Sequence, residues 1–157
     1  PQQKEYSDIG AAEFGRLKRL VTEARYVTSE LPGNQKYTML YMDDALIADN
    51  LELIKKLAKL QSIEHVTSAR GLRLANSGRS AWLDIDQATL YEHQSNLEKR
   101  LATTKAEAKN LDSRLANVNY INQAPPQLVE ESRDQLRSKQ ELIERLEAEL
   151  NIVSTEN

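Results

Sequence analysis

Cysteine is absent from this chain of 157 residues. The absence excludes a disulfide framework, a thiolate metal site and a cysteine nucleophile. Long apolar runs are missing too: there is no stretch of 18 apolar residues, and the N-terminal stretch lacks the basic and apolar regions of a signal peptide. We therefore expect a cytoplasmic protein with no membrane partner.

Aromatic side chains are also scarce. They make up 5% of the residues, with one Trp and one Phe, and hydrophobic residues make up 39%. This composition is lean for a globular protein and is typical of a chain that spends part of its length in a thin, elongated element. The length allows one ordinary domain, or a small domain with an appendage, and is too short for a large multidomain enzyme.

The residues offer no constellation for catalysis. His65 and His93 are the two histidines, and neither has a second ligand at metal-binding spacing. The five glycines are scattered and form no phosphate-binding loop. Acidic pairs occur at 43–44 and 130–131, but both open predicted helices, where acidic side chains interact favourably with the helix dipole. We therefore expect no catalytic residue, metal or cofactor in this chain.

The first 86 residues predict an α+β unit. An apolar stripe predicts a helix over 8–30, which the sequence LPGN at 31–34 ends. Residues 36–42 predict a strand, and Asp43 or Asp44 is expected to cap a following helix whose apolar stripe runs from Leu46 to Leu60. Three further strands are predicted at 63–67, 70–75 and 80–85, the last two joined by a hairpin turn at Asn76 and Gly78. We expect a small, mainly antiparallel sheet.

From Leu90 the spacing of apolar residues becomes heptad-like. The predicted inward positions are Leu90, Gln94, Leu97, Leu101, Thr104, Ala108, Leu111, Leu115 and Val118, then Val129, Ser132, Leu136, Lys139, Ile143, Leu146, Leu150 and Val153. Two helices of roughly 27 residues, each about 40 Å long, joined by a short loop, predict a long antiparallel two-helix coiled-coil hairpin over 87–157. Pro125 and Pro126 are expected to start the second helix.

The predicted tip of this hairpin, residues 117–127, carries no charge, although charged residues make up 29% of the chain. Basic residues lie just behind it, with Arg114 on the first helix at about the level of Arg133 and Arg137 on the second. Two interpretations are open. The charges are solvated helix charges that pair with Glu98, Glu107 and Asp112, or they bind phosphate weakly and in a salt-sensitive way. The net charge of −3 argues against a strongly basic nucleic-acid-binding protein.

At this point the residues resemble a known family. The stretch RLANVNYINQAPPQLVEESRDQL, 114–136, is similar to the C-terminal arm of valyl-tRNA synthetases, in which a helix ends in Leu-x-Asn-x-x-Phe/Tyr-Val-x-x-Ala-Pro. Further parts of that region resemble residues 50–66 and the stretch AWLDIDQATL, 81–90. The stretch VTEARYVTSEL, 21–31, is similar to the final helix of an anticodon-binding bundle. The ATP-binding motifs of class I synthetases are absent. We therefore expect a piece of a longer protein, consistent with a chain that begins at Pro1 without a Met.

The resemblance implies a monomeric, non-catalytic tRNA-binding region of a class I valine-tRNA ligase. The arm would reach the outer corner of a valine-specific tRNA, and ATP and Mg²⁺ would be bound only by the parent enzyme. Candidate tRNA-binding residues are Lys105, Lys109, Arg114, Asn119, Tyr120, Asn122, Gln123, Arg133 and Arg137. The alternative is a coiled-coil module that binds another protein and no nucleic acid.

Overall fold

The computed structural model describes the backbone of residues 2–155 and the side chains of residues 10–154. The chain forms two compact units, one holding the residues up to His93 and the other Gln94–Ser154. The domain boundary predicted between residues 86 and 87 falls at the start of a long helix, α4, which spans Gln87–Ala116.

The first unit begins with a long helix, α1, which spans Gln2–Glu30. Its start precedes the predicted residue 8, and its end is where the sequence predicts it. The amide of Leu31 still donates to the carbonyl of Val27 at 3.2 Å. Beyond it Gly33 has a φ of +88°, a left-handed conformation that glycine adopts without steric cost. Among the side chains of α1 from residue 10 onward, the buried ones lie on one face and are Leu17, Leu20, Val21 and Ala24.

A four-stranded sheet completes the framework of this unit. The strands are β1 (Thr38–Tyr41), β2 (Ser62–His65), β3 (Leu72–Arg73) and β4 (Ala81–Asp84), in the order β2-β1-β4-β3. β4 runs antiparallel to β1 and β3, but β1 and β2 are parallel. Two of the three strand pairings are antiparallel, as the prediction of a mainly antiparallel sheet requires, but the parallel pairing makes the sheet a mixed one. The reason is the helical crossover between β1 and β2, which returns the chain to the starting end of the sheet.

That crossover holds two helices where the sequence predicts one. They are α2 (Ala45–Ala48) and α3 (Leu51–Leu57). The break falls at Asn50, whose side-chain amide donates to the carbonyl of Leu46 at 2.8 Å, because short polar side chains compete with the helix for its backbone groups. The predicted cap is confirmed: Asp44 accepts a hydrogen bond from the amide of Ile47 at 3.1 Å.

The predicted hairpin between the last two strands is confirmed, with a different turn. A short 3-10 helix, Ala75–Ser77, connects β3 to β4, and Gly78 follows it with a φ of +69°. On the other side of β3, Gly71 lies so close to β4 that a Cβ would be 2.0 Å from the carbonyl oxygen of Leu83. Only glycine fits this approach.

The second unit is built from the long helices α4 and α6 (Pro126–Thr155) with a short helix, α5 (Val118–Gln123), between them. The helix α5 replaces the predicted short loop. Every predicted inward position is buried or half-buried except Val118, which is 66% exposed. The heptad pattern predicts Val118 to lie inward because it continues past Ala116, where α4 ends.

Ion pairs join α4 and α6 in opposite sequence order. Lys105 contacts Glu147 at 3.2 Å, and Glu107, further along α4, contacts Lys139, which lies earlier in α6. Since residue numbers rise on one helix as they fall on the other, the two helices run in opposite directions. The unit is a long helix pair, and its winding as a coiled-coil hairpin stays a prediction.

Within the first unit, one carboxylate joins α1 to the turn before β4. Glu23 Oε1 accepts a hydrogen bond from the amide of Asn76 at 2.9 Å, whereas its buried Oε2 has no hydrogen-bond partner among the described residues. Burial raises the pKa of Glu23 above its ordinary value, against the amides of Asn76 and Ser77, which lower it. Folding therefore favours the protonated carboxyl.

We predict that Glu23 makes stability depend on pH. With a raised folded-state pKa, its stabilising contribution is fully present below about pH 4.5, its ordinary pKa, and is lost as the pH rises through the folded value. Wild type and Glu23→Gln should therefore be similar in stability near pH 4, and wild type should be the less stable at pH 7. Urea unfolding followed by the fluorescence of Trp82, the one tryptophan, measures this unit. An equal difference at both pH values would contradict the assignment.

Candidate nucleic-acid interface

Capping residues determine the path of the chain between α4 and α6. Asn117 is the N-cap of α5, and its side-chain oxygen accepts from the amide of Asn119 at 3.0 Å. Ala124 ends α5 in an extended conformation. The carbonyl of Pro125 then accepts from the amide of Leu128 at 3.0 Å, and Pro126 is the first residue of α6. The predicted restart at the prolines is confirmed, since a proline in the first turn needs no amide donor.

Tyr120 holds this end of the helix pair together. Its hydroxyl lies 3.1 Å from Oγ of Ser132, a buried residue of α6, and the guanidinium carbon of Arg114 lies 5.9 Å from the centre of its ring. The second contact is a cation–π interaction. Tyr120 is half-buried and is already bound at its hydroxyl and at one face of its ring. It is therefore a poorer candidate for stacking on a ligand than the sequence indicates.

The exposed surface at this end is instead formed by other neutral residues. Val118 is 66% exposed, Leu128 47% and Ile121 38%. None of these three is among the candidate tRNA-binding residues predicted from the sequence, and Val118 is predicted to lie inward. The feature of the sequence that could have indicated an exposed neutral surface is the absence of charged residues from 117 to 127. We define the tip surface by its exposed members, Val118, Asn119, Ile121, Asn122, Gln123 and Leu128.

The basic candidates differ in how they are paired. Arg114 and Lys109 are exposed and have no carboxylate partner among the described residues. Arg133 pairs with Glu130 at 3.4 Å and Arg137 with Asp134 at 3.5 Å, both exposed pairs three residues apart on α6. Such pairs stabilise a helix by only about 0.2–0.5 kcal/mol, so a phosphate can replace the carboxylate at little cost. Lys105, the remaining candidate, pairs across the helices with Glu147.

The interpretation that these basic residues form ion pairs with Glu98, Glu107 and Asp112 agrees with the structure only in part. Glu107 pairs with Lys139 as that interpretation requires. Glu98 instead accepts a hydrogen bond from Gln94 at 3.3 Å, and Asp112 forms no ion pair in the described part of the chain. Inter-helix charge pairing therefore accounts for Lys105 and Lys139, and it leaves Arg114 and Lys109 available to a ligand.

Neither a cluster of metal ligands nor a membrane-spanning helix is present in the part of the chain that the structure describes. No group of three or more His, Asp or Glu side chains there is placed to hold a metal ion. His65 lies 3.9 Å from an exposed carboxylate oxygen of Asp43, and His93 is buried. No helix between residues 2 and 155 combines the length and the apolar character that crossing a membrane needs.

Comparison with known proteins gives a consistent result. Residues 90–154 match the family described as "Valyl tRNA synthetase tRNA binding arm". The valine–tRNA ligase of Gluconobacter oxydans is 29% identical over 157 residues, which covers 92% of this chain and 18% of the relative. Those of Corynebacterium jeikeium and Petrotoga mobilis are 30% and 25% identical, over 85% and 98% of this chain. The chain spans less than a fifth of the length of these relatives.

A pair of long antiparallel helices with a neutral tip, together with these matches, places the chain among aminoacyl-tRNA synthetase appendages. Within that class, it corresponds to the C-terminal region of valyl-tRNA synthetases. The resemblance inferred from residues 114–136 is thereby confirmed, and it extends over most of the chain.

We predict that Tyr120 and Ser132 stabilise the helix pair as one unit. Tyr120→Phe and Ser132→Ala each remove one side of the hydrogen bond, so the double variant should lose less stability than the sum of the single variants, with a coupling of about 1 kcal/mol. Chemical unfolding followed by far-ultraviolet circular dichroism provides the four free energies of the cycle. Additive losses would show that the hydroxyls do not interact in solution.

Proposed function

We propose that this chain is a non-catalytic tRNA-binding region of a valine–tRNA ligase, whose arm contacts the corner and the backbone of the tRNA. The observation that carries the proposal is the neutral tip surface next to exposed basic residues, in a segment that matches a tRNA-binding arm. The parent enzyme would supply the reaction with ATP, Mg²⁺ and valine, and this chain would supply affinity for a valine-specific tRNA. We propose that it acts as a monomer.

The phosphate contacts would come from a basic collar, defined as Arg114, Arg133 and Arg137. Two observations support this role: Arg114 has no carboxylate partner among the described residues, and the other two have only exposed local partners at 3.4 and 3.5 Å. A guanidinium can give two parallel hydrogen bonds to a phosphate, which is stronger than a single contact of the same charge. Lys109, which also has no carboxylate partner among the described residues, extends this charge along α4, whereas Lys105 is already paired with Glu147.

The base contacts would come from the tip surface. Unpaired bases and terminal base pairs of an RNA expose flat faces and polar edges. The faces are recognised by apolar contact and the edges by neutral hydrogen-bonding groups. Val118, Ile121 and Leu128 offer the first, and the amides of Asn119, Asn122 and Gln123 offer the second. Tyr120 would shape the tip through Ser132 and Arg114, with its own hydroxyl already bound.

A second candidate function is binding of another protein. The same apolar residues, Val118, Ile121 and Leu128, favour it, because exposed apolar residues that lie close together often mark protein contacts. The collar argues for RNA, since three neighbouring guanidinium groups match the repeated phosphates of an RNA backbone. Dimerisation that depends on protein concentration, with no RNA binding at low salt, would favour this alternative.

We predict that the collar supplies a large part of the salt dependence of tRNA binding. Replacing Arg114, Arg133 and Arg137 together by Gln should reduce the slope of log K against log salt concentration by about two to three, since each lost phosphate contact removes roughly 0.7–0.9. Fluorescence anisotropy of labelled tRNA, titrated with the full chain between 50 and 200 mM salt, measures the slope.

The matched control carries the same charge change outside the collar. Replacing Lys99, Arg100 and Arg145 by Gln removes three cations of α4 and α6 that lie away from the tip in sequence. If this control changes the slope as much as the collar variant, net charge and not the collar governs binding. In a full-length ligase with these arm residues, the collar variant should raise KM for tRNA, and an unchanged KM would exclude the collar from aminoacylation.

We predict that the tip surface adds affinity that salt does not affect. The neutral changes Val118→Asn and Ile121→Asn together should weaken tRNA binding about tenfold, because apolar contact with bases is lost while the charge of the chain stays the same. The salt slope should be unchanged. Leu53→Asn, at an exposed apolar residue of α3, is the control and should have no effect. If the tip variant binds tRNA as tightly as wild type, the tip surface makes no base contact, and the RNA backbone is the only part of the tRNA that the arm contacts.

A further inference from the structure

The first unit contains an open cleft of about 370 Å³ that the arm does not form. Three segments meet there: the C-terminal part of α1 with Arg25, the connection from α1 to β1 with Lys36, and the end of α3 with Lys59. None of the residues that line the cleft is acidic. A cleft lined by three cations is notable in a chain whose net charge is −3.

The three cations of the cleft lack the partners that other cations of this unit have. Arg70 pairs with Asp84 at 3.2 Å and Arg79 with Asp44 at 3.3 Å. Arg25, Lys36 and Lys59 form no ion pair or hydrogen bond with a carboxylate within the described residues. Cations that share a site repel one another, and an anion that enters the cleft relieves the repulsion.

The side-chain donors that remain for a ligand in the cleft are mostly cationic. The hydroxyl of Thr28 donates to the carbonyl of Arg25 at 3.1 Å, and the hydroxyl of Ser29 donates to the carbonyl of Tyr26 at 2.6 Å. These protons are committed to the helix backbone, and the hydroxyl of Tyr37 donates to the carbonyl of Pro32 at 3.3 Å. The side-chain donors left for a ligand are therefore the three cations and the amides of residues 34 and 35. Oxygens that only accept, as in a phosphodiester, match this set.

The backbone at Lys59 has a conformation that is uncommon for a lysine. Lys59 has a φ of +56°, its amide approaches the carbonyl of Lys56 at 3.4 Å, and the amide of Leu60 donates to the carbonyl of Lys55 at 3.0 Å. This is a Schellman ending of α3, in which the left-handed position is most favourable for glycine. A lysine occupies it here, so the chain carries backbone strain at a position that points a cation at the cleft.

We propose that the cleft around Arg25, Lys36 and Lys59 binds phosphates of an RNA backbone, as a contact separate from the arm. The choice of RNA over other polyanions rests on the proposed function. The cleft would bind the RNA backbone and not the bases, because its charged donors suit phosphate oxygens.

The most direct test separates stability from binding at one residue. Lys59→Gly removes the charge and relieves the strained φ, so the midpoint of thermal unfolding should be unchanged or higher while the affinity for tRNA falls severalfold. Lys56→Gln, which removes a nearby cation that does not line the cleft, should leave affinity close to wild type. Unaltered affinity in Lys59→Gly would overturn the role of this lysine.

The complete cleft is tested by replacing Arg25, Lys36 and Lys59 together by Gln in the full chain. In the anisotropy titration of tRNA the salt slope should fall by about two to three. The control replaces Arg16, Lys56 and Arg73, which are exposed cations of the same unit outside the cleft, by Gln. A cleft variant that behaves like this control would refute the proposal.

Comparison with the collar variant keeps the two sites apart. If the collar variant binds as wild type and the cleft variant is weakened, the cleft stands and the proposed function of the arm fails. The reverse result overturns the cleft and supports the arm. No binding of tRNA to wild type at 50 mM salt would refute both. Binding of poly-glutamate as tight as that of tRNA, lost in the cleft variant, would show a site for acidic protein and overturn the assignment to RNA.

Discussion

The second unit depends on a single constraint: two helices packed side by side can bury only one narrow seam. In this chain, the seam includes small or polar buried residues such as Thr104, Ala108 and Ser132. Little apolar area is removed from water, so contacts at the ends of the seam matter more than they would in a globular core. The hydrogen bond of Tyr120 with Ser132 is one such contact. The same geometry exposes most other side chains of the arm, which is what a surface for a long, charged partner needs.

Features that local sequence determines were predicted well. The Asp44 cap, the end of α1 and the start of α6 at Pro126 follow from residues within a few positions of each other. The inward positions of α4 and α6 followed from periodicity. The sheet was predicted less well, because the direction of β2 relative to β1 depends on a crossover through two helices. The break at Asn50 depends on a side chain that competes with the backbone, which an apolar stripe does not reveal.

The candidate site shows the same division. The charged residues of the site are visible in the sequence. The resemblance of residues 114–136 to a synthetase arm indicates the element on which they lie. What the sequence could not show is the state of Tyr120, because its partner Ser132 lies twelve residues away and becomes a neighbour only when α6 runs back along α4. The cleft of Arg25, Lys36 and Lys59 is a stronger case: its three cations come from separate segments, and no spacing in the sequence connects them.

A chain with a net charge of −3 can still recognise a polyanion, because charges act locally. At 0.1 M salt the Debye length is about 10 Å, much shorter than a helix of 30 residues. The acidic residues in the later part of α6, such as Glu141 and Glu144, therefore do little to cancel Arg114 near the tip. They instead make that part of the arm unfavourable for phosphate. An RNA backbone bound by this arm is expected to lie at the collar and tip, so the acidic part of α6 contributes to where the RNA binds.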